Sequence, residues 1–444
     1  MGSRKEFLSI CALGGLAYPF AKTENRNESG LNDRQSSSIF NVTDFGAKGD
    51  GESFSSDAFQ LAIDAAESAG GGKVLVPSGT FILEKTPLIA TGVHLQGMGP
   101  STVLRGHRPG NERGAALISN KGQHAPGYDG AHSWSITDLA IDSPHTNGIV
   151  VTHAKDVFIS GIYGIDAWHH FIDTAGLNIL CEKLFLTGRS GTSTFQIDSL
   201  SSAQTIWDGQ QAVAPLRDGT DTKKLILRNS IITATAGHTG DGDQHDVSIH
   251  FHGDDTSDFV FSDLILGGAR YGFYQDPGTR YQDMLISNVL SRNPDSAIWL
   301  GHGLTEQKGL IIRGLIHDPD PVQELQRERG SIYFYGKNDV QISDVQCHGI
   351  KNGVTKYGIK FQASEKVMIN NSIFKSESSG TAVKISDQLN QEDTRCKHVN
   401  LHGCFIDGYE NGITFDNRNN GSEVWERMNS YINVQNRKSG KVNS

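Results

Sequence analysis

Between Val42 and Leu83 the chain reads VTDFGAKGDGESFSSDAFQLAIDAAESAGGGKVLVPSGTFIL. In order, this is a short strand, a Gly/Asp turn, one amphipathic helix, three glycines and a strand that ends in Pro-Ser-Gly. Ser55 or Ser56 offers the helix N-cap, and Phe59, Ala62, Ile63 and Ala66 share one face. Gly70, Gly71 and Gly72 stop the helix, and Lys73 to Val76 resumes as strand. Almost everything beyond is strand and turn. One helix ahead of a long stack of short strands predicts a plug over the open end of a solenoid.

The stack itself is a degenerate repeat. One segment type recurs as SITDLAID, VFISGIYGID, LILRNSIIT, FVFSDLILG, MLISNVLSR, LIIRGLIHD, VQISDVQCHG, VMINNSIFKS and VNLHGCFID. A second follows each by several residues, among them HFIDT, TFQID, VSIHFHG, YGFYQDP, AIWLGHG, SIYFYGK, YGIKFQA, TAVKISD and NGITFDN. The spacing of roughly 22 to 45 residues suits stacked coils with loop insertions. A solenoid also lets a chain of 444 residues form one domain, because each coil buries its core against its neighbours.

The pieces Asp44-Phe45-Gly46-Ala47, Gly49-Asp50-Gly51, Ala62-Ile63-Asp64-Ala65-Ala66, Gly70 to Gly72 and Val76-Pro77-Ser78-Gly79 stand in one order. That order resembles the N-terminal region of the pectate-lyase-like and polygalacturonase-related β-helix superfamily. The resemblance implies an all-β, single-stranded right-handed parallel β-helix with an N-terminal capping α-helix. It leaves the reaction open, because the superfamily includes hydrolases, lyases, epimerases and phage tailspikes. The expected organisation is an export signal over 1–21, a polar linker over 22–38, the β-helix over 39–417 and a polar C-terminal tail over 418–444.

Ser3-Arg4-Lys5-Glu6-Phe7-Leu8 and the apolar run through Ala17 resemble a twin-arginine signal with Lys in the second position; an ordinary secretory signal is the equal alternative. Either predicts export from a bacterial cell to the periplasm or the medium. The run is too short to span a bilayer. A formal charge of −10 without any basic block argues against nucleic acid as a partner. Cys181, Cys347, Cys396 and Cys404 show no paired metal spacing; buried thiols are expected, with a Cys396–Cys404 bridge as the alternative. Monomer and homotrimer both stay open.

Parallel stacking places equivalent residues about 4.8 Å apart along the axis, with side chains alternating in and out. Anchoring the second segment type on inward Ile172, Phe195, Ile249, Phe273, Ile298, Ile332, Ile359, Val383 and Ile413 defines an outward column. It reads Asp173, Gln196, His250, Tyr274, Trp299, Tyr333, Lys360, Lys384 and Thr414. Two residues further, a second column reads Asp198, His252, Asp276, Tyr335 and Gln362, with His302 in the same neighbourhood. Aromatic rings stack on sugars, and carboxylates and imidazoles move protons, so this face is expected to be a groove for a polysaccharide or oligosaccharide. Residues 199–222 and 236–246 are insertions beside it. The second holds His238, Asp241, Asp243, His245 and Asp246, oxygen and nitrogen ligands that could hold calcium; otherwise no cofactor is expected.

Two reactions compete, and the scarcity of cations at the centre of the column favours the first, glycoside hydrolysis. Inverting hydrolysis of a glycosidic bond needs an acid and a water-activating carboxylate about 6.5–9.5 Å apart. Carboxylates two coils apart in one column are about 9.6 Å apart at the backbone. That assigns Asp276 as acid and Asp198 or Asp254 as base, with His252 orienting them. The sugar would then bind on Asp173, Gln196, His250, Tyr274, Trp299, His302, Tyr333, Tyr335 and Lys360. Asp254-Asp255 and Gly301-His302-Gly303 have the residue types of two polygalacturonase motifs, but the family's Asn-Thr-Asp and Arg-Ile-Lys are missing. The rival is β-elimination from a uronate, with His250 and Tyr274 on adjacent coils as base and acid, and Arg270, Arg280 or calcium countering the substrate carboxylate. A non-catalytic, tailspike-like glycan-binding β-helix is the third reading.

Overall fold

The computed structural model describes residues 38–108, 115–189, 191–200, 206–209, 212–235, 246–276, 278–301, 307–320, 330–349, 357–376, 380–386, 396–416 and 424–439. The signal and linker regions therefore lie outside the described residues. From Ser38 onward the chain forms one unit, a stack of parallel strands in which each coil pairs with the coils before and after it.

The α-helix Ser56–Ser68 is present. Its apolar face of Phe59, Ala62, Ile63 and Ala66 is wholly buried in the main core, where the Phe59 ring meets Phe81 edge-on at 5.6 Å. Ser55 takes the N-cap position, and Gly70, at φ +85°, turns the chain so that the Gly71 N–H reaches back to the Ala66 carbonyl.

The inward column is continuous. Ile172, Phe195, Ile249, Phe273, Ile298, Ile332, Ile359, Val383 and Ile413 are paired coil to coil in that order and fully buried. Apolar residues of the first segment type complete the core.

That first segment is not a single straight strand. Each copy bends at two residues five apart with left-handed backbone: Asp258 and Asp263, Asp283 and Asn288, Gly309 and Gly314, Asp339 and Asp344, Lys366 and Asn371, His398 and Gly403. Asp, Asn and Gly adopt this conformation at least cost, so they recur there. Corner residues also bond along the axis, as Asn288 Nδ2 does to Asp263 Oδ1 at 3.2 Å.

The winding also runs past residue 417, correcting the expected boundary of the β-helix. Val424–Arg427, Ser430–Ile432 and Asn436–Ser439 pair in parallel with the preceding coil. This last described coil is held by Glu426, which accepts from the Tyr431 hydroxyl and the Asn429 amide and pairs with Lys438. The four described cysteines are buried thiols, so Cys396 and Cys404 are not bridged.

One buried group in the core is unexpected. Lys337 stacks on Gln307, is 1% exposed, donates to Gln275 Oε1 at 3.1 Å, and lies over the Tyr281 ring at 4.0 Å. Burial pushes its ammonium well below the usual lysine value. Over the interval between its folded and unfolded pKa, the unfolded chain holds a proton that the folded chain lacks. Stability therefore rises with pH there, by up to about 1.4 kcal/mol per pH unit, until about pH 10.4. Lys337→Met is expected to flatten that slope in urea unfolding measured from pH 7 to 10; an unchanged slope would show that the amine is charged in the fold.

Candidate active site

The outward column follows the ladder register. Asp173, Gln196, His250, Tyr274, Trp299, Tyr333, Lys360, Lys384 and Thr414 are consecutive partners on successive coils. The second column is held the same way. Asp198 N–H donates to the Thr174 carbonyl, His252 N–H to Ile197 and Asp276 N–H to Phe251, each bond joining one coil to the one before it.

These side chains form a connected series. Ser193 Oγ lies 2.7 Å from His250 Nδ1, and His250 Nε2 lies 2.9 Å from Asp276 Oδ1. The other Asp276 oxygen is 3.7 Å from His252 Nε2, and His252 Nδ1 is 2.9 Å from Asp198 Oδ1. Asp198 is fully buried and also accepts from the Ser199 N–H and the Gln196 amide, both at 2.8 Å. A carboxylate so placed obliges His252 to donate from Nδ1 and leaves Nε2 as the working nitrogen. The Asp198 hydrogen bond is the largest influence on His252, and with the charges of Asp198, Asp276 and Asp173 it outweighs burial. The imidazole pKa is raised to about 9.

Several sequence expectations change here. Asp198 has no solvent contact and its oxygens are engaged, so it is not placed to activate a water for hydrolysis; it orients His252 instead. Asp254 sits exposed at the following turn, 3.4 Å from the Ser199 hydroxyl, outside the imidazole–carboxylate series. Asp276 is between the two histidines, its side chain 14% exposed. His250 is 1% exposed, with the Ser193 hydroxyl at Nδ1 and the Asp276 carboxylate 2.9 Å from Nε2 though outside hydrogen-bond geometry, which sets it beside Asp276 rather than in a solvent-facing His250–Tyr274 pair.

The column is also less open than an exposed face would be. Asp173, Gln196, His250, Tyr274 and Tyr333 are buried, whereas His252, Trp299, Tyr335 and Lys360 are half-buried. The rings cover one another: Tyr274 stands 4.9 Å from Tyr271 and 5.8 Å from His250, and Trp299 stands 4.5 Å from Tyr333. Val247, Tyr271 and Tyr274, with Trp299 against them, make a second apolar cluster apart from the main core.

Arg270 does not reach over the groove; its guanidinium is buried against Asp295 at 2.7 Å and lies by the Tyr271 ring. The sequence reading missed Ser193 and Tyr271, because each is two residues before an inward anchor, Phe195 or Phe273, and so shares the inward parity. His302, and the insertion residues His238, Asp241, Asp243 and His245, lie outside the described residues. Asp246 is described and buried. Among the described residues no group of three or more His, Cys, Asp or Glu side chains has metal-binding geometry.

Residues 39–181 match a protein family described as rhamnogalacturonase A/epimerase, pectate lyase-like. The fold is a parallel β-helix, and this first third of the chain is what matches the pectate-lyase-like family. Alginate lyase 7 of Azotobacter vinelandii is 37% identical over 116 residues, 24% of this chain and 13% of that protein. Mannuronan C5-epimerase AlgE3 of the same organism is 30% identical over 164 residues, 34% of this chain and 8% of that protein. The chain thus spans only a small part of the curated relatives it matches. The solved A-module of mannuronan C5-epimerase AlgE6 from A. vinelandii superimposes with a TM-score of 0.57 at 18% identity. That superposition covers 91% of this chain and 96% of the module, a likeness of fold. The family match ends at residue 181, so Gln196, Asp198, His250, His252, Tyr274 and Asp276 lie beyond it. Two of these relatives are named for alginate lyase and mannuronan C5-epimerase activity; what this chain does has to be argued from its own side chains.

Proposed function

We propose that the protein is an exported polysaccharide lyase acting on a uronate-containing polymer. One observation carries this reading: the buried Asp198 carboxylate locks Nδ1 of a half-buried imidazole and leaves its Nε2 3.7 Å from Asp276. The carbon-bound proton beside a uronate carboxylate is weakly acidic, and removing it calls for a strong, positioned base. An imidazole raised to about 9 is such a base once deprotonated. His252 Nε2 takes the C5 proton, the C4–C5 double bond forms as the C4–O bond breaks, and the proton passes on to the departing oxygen. Asp276 holds the imidazole as its charge changes, and half-buried Trp299, backed by the buried Tyr333 ring, offers a stacking surface for a neighbouring sugar. The helix Ser56–Ser68 serves as the plug of the first coil.

The names of the relatives make 1,4-linked polymannuronate the first substrate to try, beside polyguluronate and polygalacturonate. Elimination gives products with ultraviolet absorbance and no mass gain on cleavage. Products heavier by one water would overturn the lyase reading in favour of hydrolysis. An uncut polymer with inverted C5 centres by NMR would show that the same proton abstraction ends in epimerisation, the activity in the name of the second relative.

A further inference from the structure

The outward column changes character along the axis. It begins with Asp173, Gln196 and His250, passes through Tyr274, Trp299 and Tyr333, and reaches Lys360 and Lys384 on consecutive coils before Thr414. The chain as a whole carries −10, and the carboxylates of the column and the reacting cluster, Asp173, Asp198 and Asp276, all lie on its first four coils. A polyanion laid symmetrically over the cluster would meet carboxylates on that side. Laid toward the later coils it meets rings first and then two ammonium groups.

We propose that Lys360 and Lys384 form a remote carboxylate-binding subsite, so that a polyuronate extends from His252 toward the C-terminal coils only. This rests on the uronan reading above and deepens it. Counting ladder steps from His250, Lys360 lies four coils away and Lys384 five, about 19 and 24 Å along the axis. A 1,4-linked pyranose unit advances by close to one coil, so the two lysines face the fourth and fifth sugars from the reacting one.

Both side chains are half-buried, as cations on apolar stems should be when the stem lies on protein and the head reaches out. The Lys360 ammonium stands 5.5 Å from the Tyr333 ring centre and 5.8 Å from that of Tyr357. Tyr333 is fixed in turn by its hydroxyl, which donates to Gln362 Oε1 at 2.9 Å. The ring platform and the first ammonium are therefore one rigid surface, set before substrate arrives.

The test is calorimetric binding of mannuronate oligomers from trimer to heptamer, with neutral mannose oligomers of equal length alongside. Wild-type affinity is expected to step up about tenfold once the oligomer reaches the lysines. The step should be absent for neutral oligomers and should shrink as salt rises. Lys360→Met, which keeps the stem on Tyr333, and Lys384→Gln should each remove part of it, and the double variant should bind long and short uronates alike. A step that survives in the double variant overturns the proposal. Uronate binding with the lysine-dependent step but without turnover would sink the lyase assignment and leave the subsite standing. Turnover without any step would do the reverse.

Discussion

Asp198→Asn is expected to lower kcat/KM by about 10²–10⁴-fold with the coil structure intact. Asp198 is fully buried and accepts the Nδ1 proton of His252. An asparagine fills the same space but can present its amide N–H₂ to Nδ1. The imidazole then carries its proton on Nε2, the atom that must be bare to act as a base. The pH profile adds a second, independent readout. With a base titrating at about 9, wild-type kcat/KM should rise with pH and level off above that value. If His252 served as an acid, as hydrolysis would ask, activity would instead fall through the same range, and the base assignment would be wrong. In the variant the lost hydrogen bond and charge should bring the inflection down toward 6.5, the ordinary value. The same pairing contributes to stability in the opposite direction. Its stabilisation is complete below about pH 6.5, where both folded and unfolded states are charged, and is lost as pH rises through about 9.

Gly268→Ala should be among the most damaging small substitutions in the later coils, costing about 4 kcal/mol or more. Gly268 has φ +75°, and a methyl group there would stand 1.9 Å from the backbone carbonyl oxygen of Ala234 in the coil before. Neither atom can yield without moving its strand. Left-handed backbone alone costs an L-residue about 1–2 kcal/mol; the overlap adds the rest. Gly268 also sets the turn from Thr256–Gly267 into Tyr271–Gln275, so displacement carries Arg270, Tyr271 and Tyr274 with it. Gly278→Ala is the matched control: φ is +88°, but nothing lies within 4 Å of the added methyl. Urea unfolding of both variants should show a large loss for the first and only the conformational cost for the second. Similar losses would mean that the Ala234 contact is relieved by a small shift.

The sequence predicts the winding and the column well for one reason: side-chain parity propagates. Once Ile249 is inside, His250 must be outside, and parallel pairing carries that choice from coil to coil without regard to loop length. The helix is equally legible, because its four buried positions, cap and glycine stop are all local. The corners are not. Asp263, Asn288 and Asp344 sit inside runs that read as plain strand, and their five-residue spacing from Asp258, Asp283 and Asp339 becomes visible only when the coils are aligned. Burial in the groove was misjudged because parity shows direction and not cover. Tyr274 points outward and is still 3% exposed, since Tyr271 and its neighbours close over it. The roles of Asp198 and His250 escaped for the same cause: both look like free reacting groups until their partners across coils are seen.

The paired corners carry an implication for how such a molecule can change over time. Each winding bends at the same two hinges, and every hinge meets its counterpart above and below. Losing a single residue between hinges would flip inside for outside until the next loop takes up the slip. Losing the whole stretch from one hinge to its counterpart, as from Asp258 to just before Asp283, would rejoin like with like. Such a molecule lengthens or shortens in whole windings, and with it the distance from His252 to the two lysines.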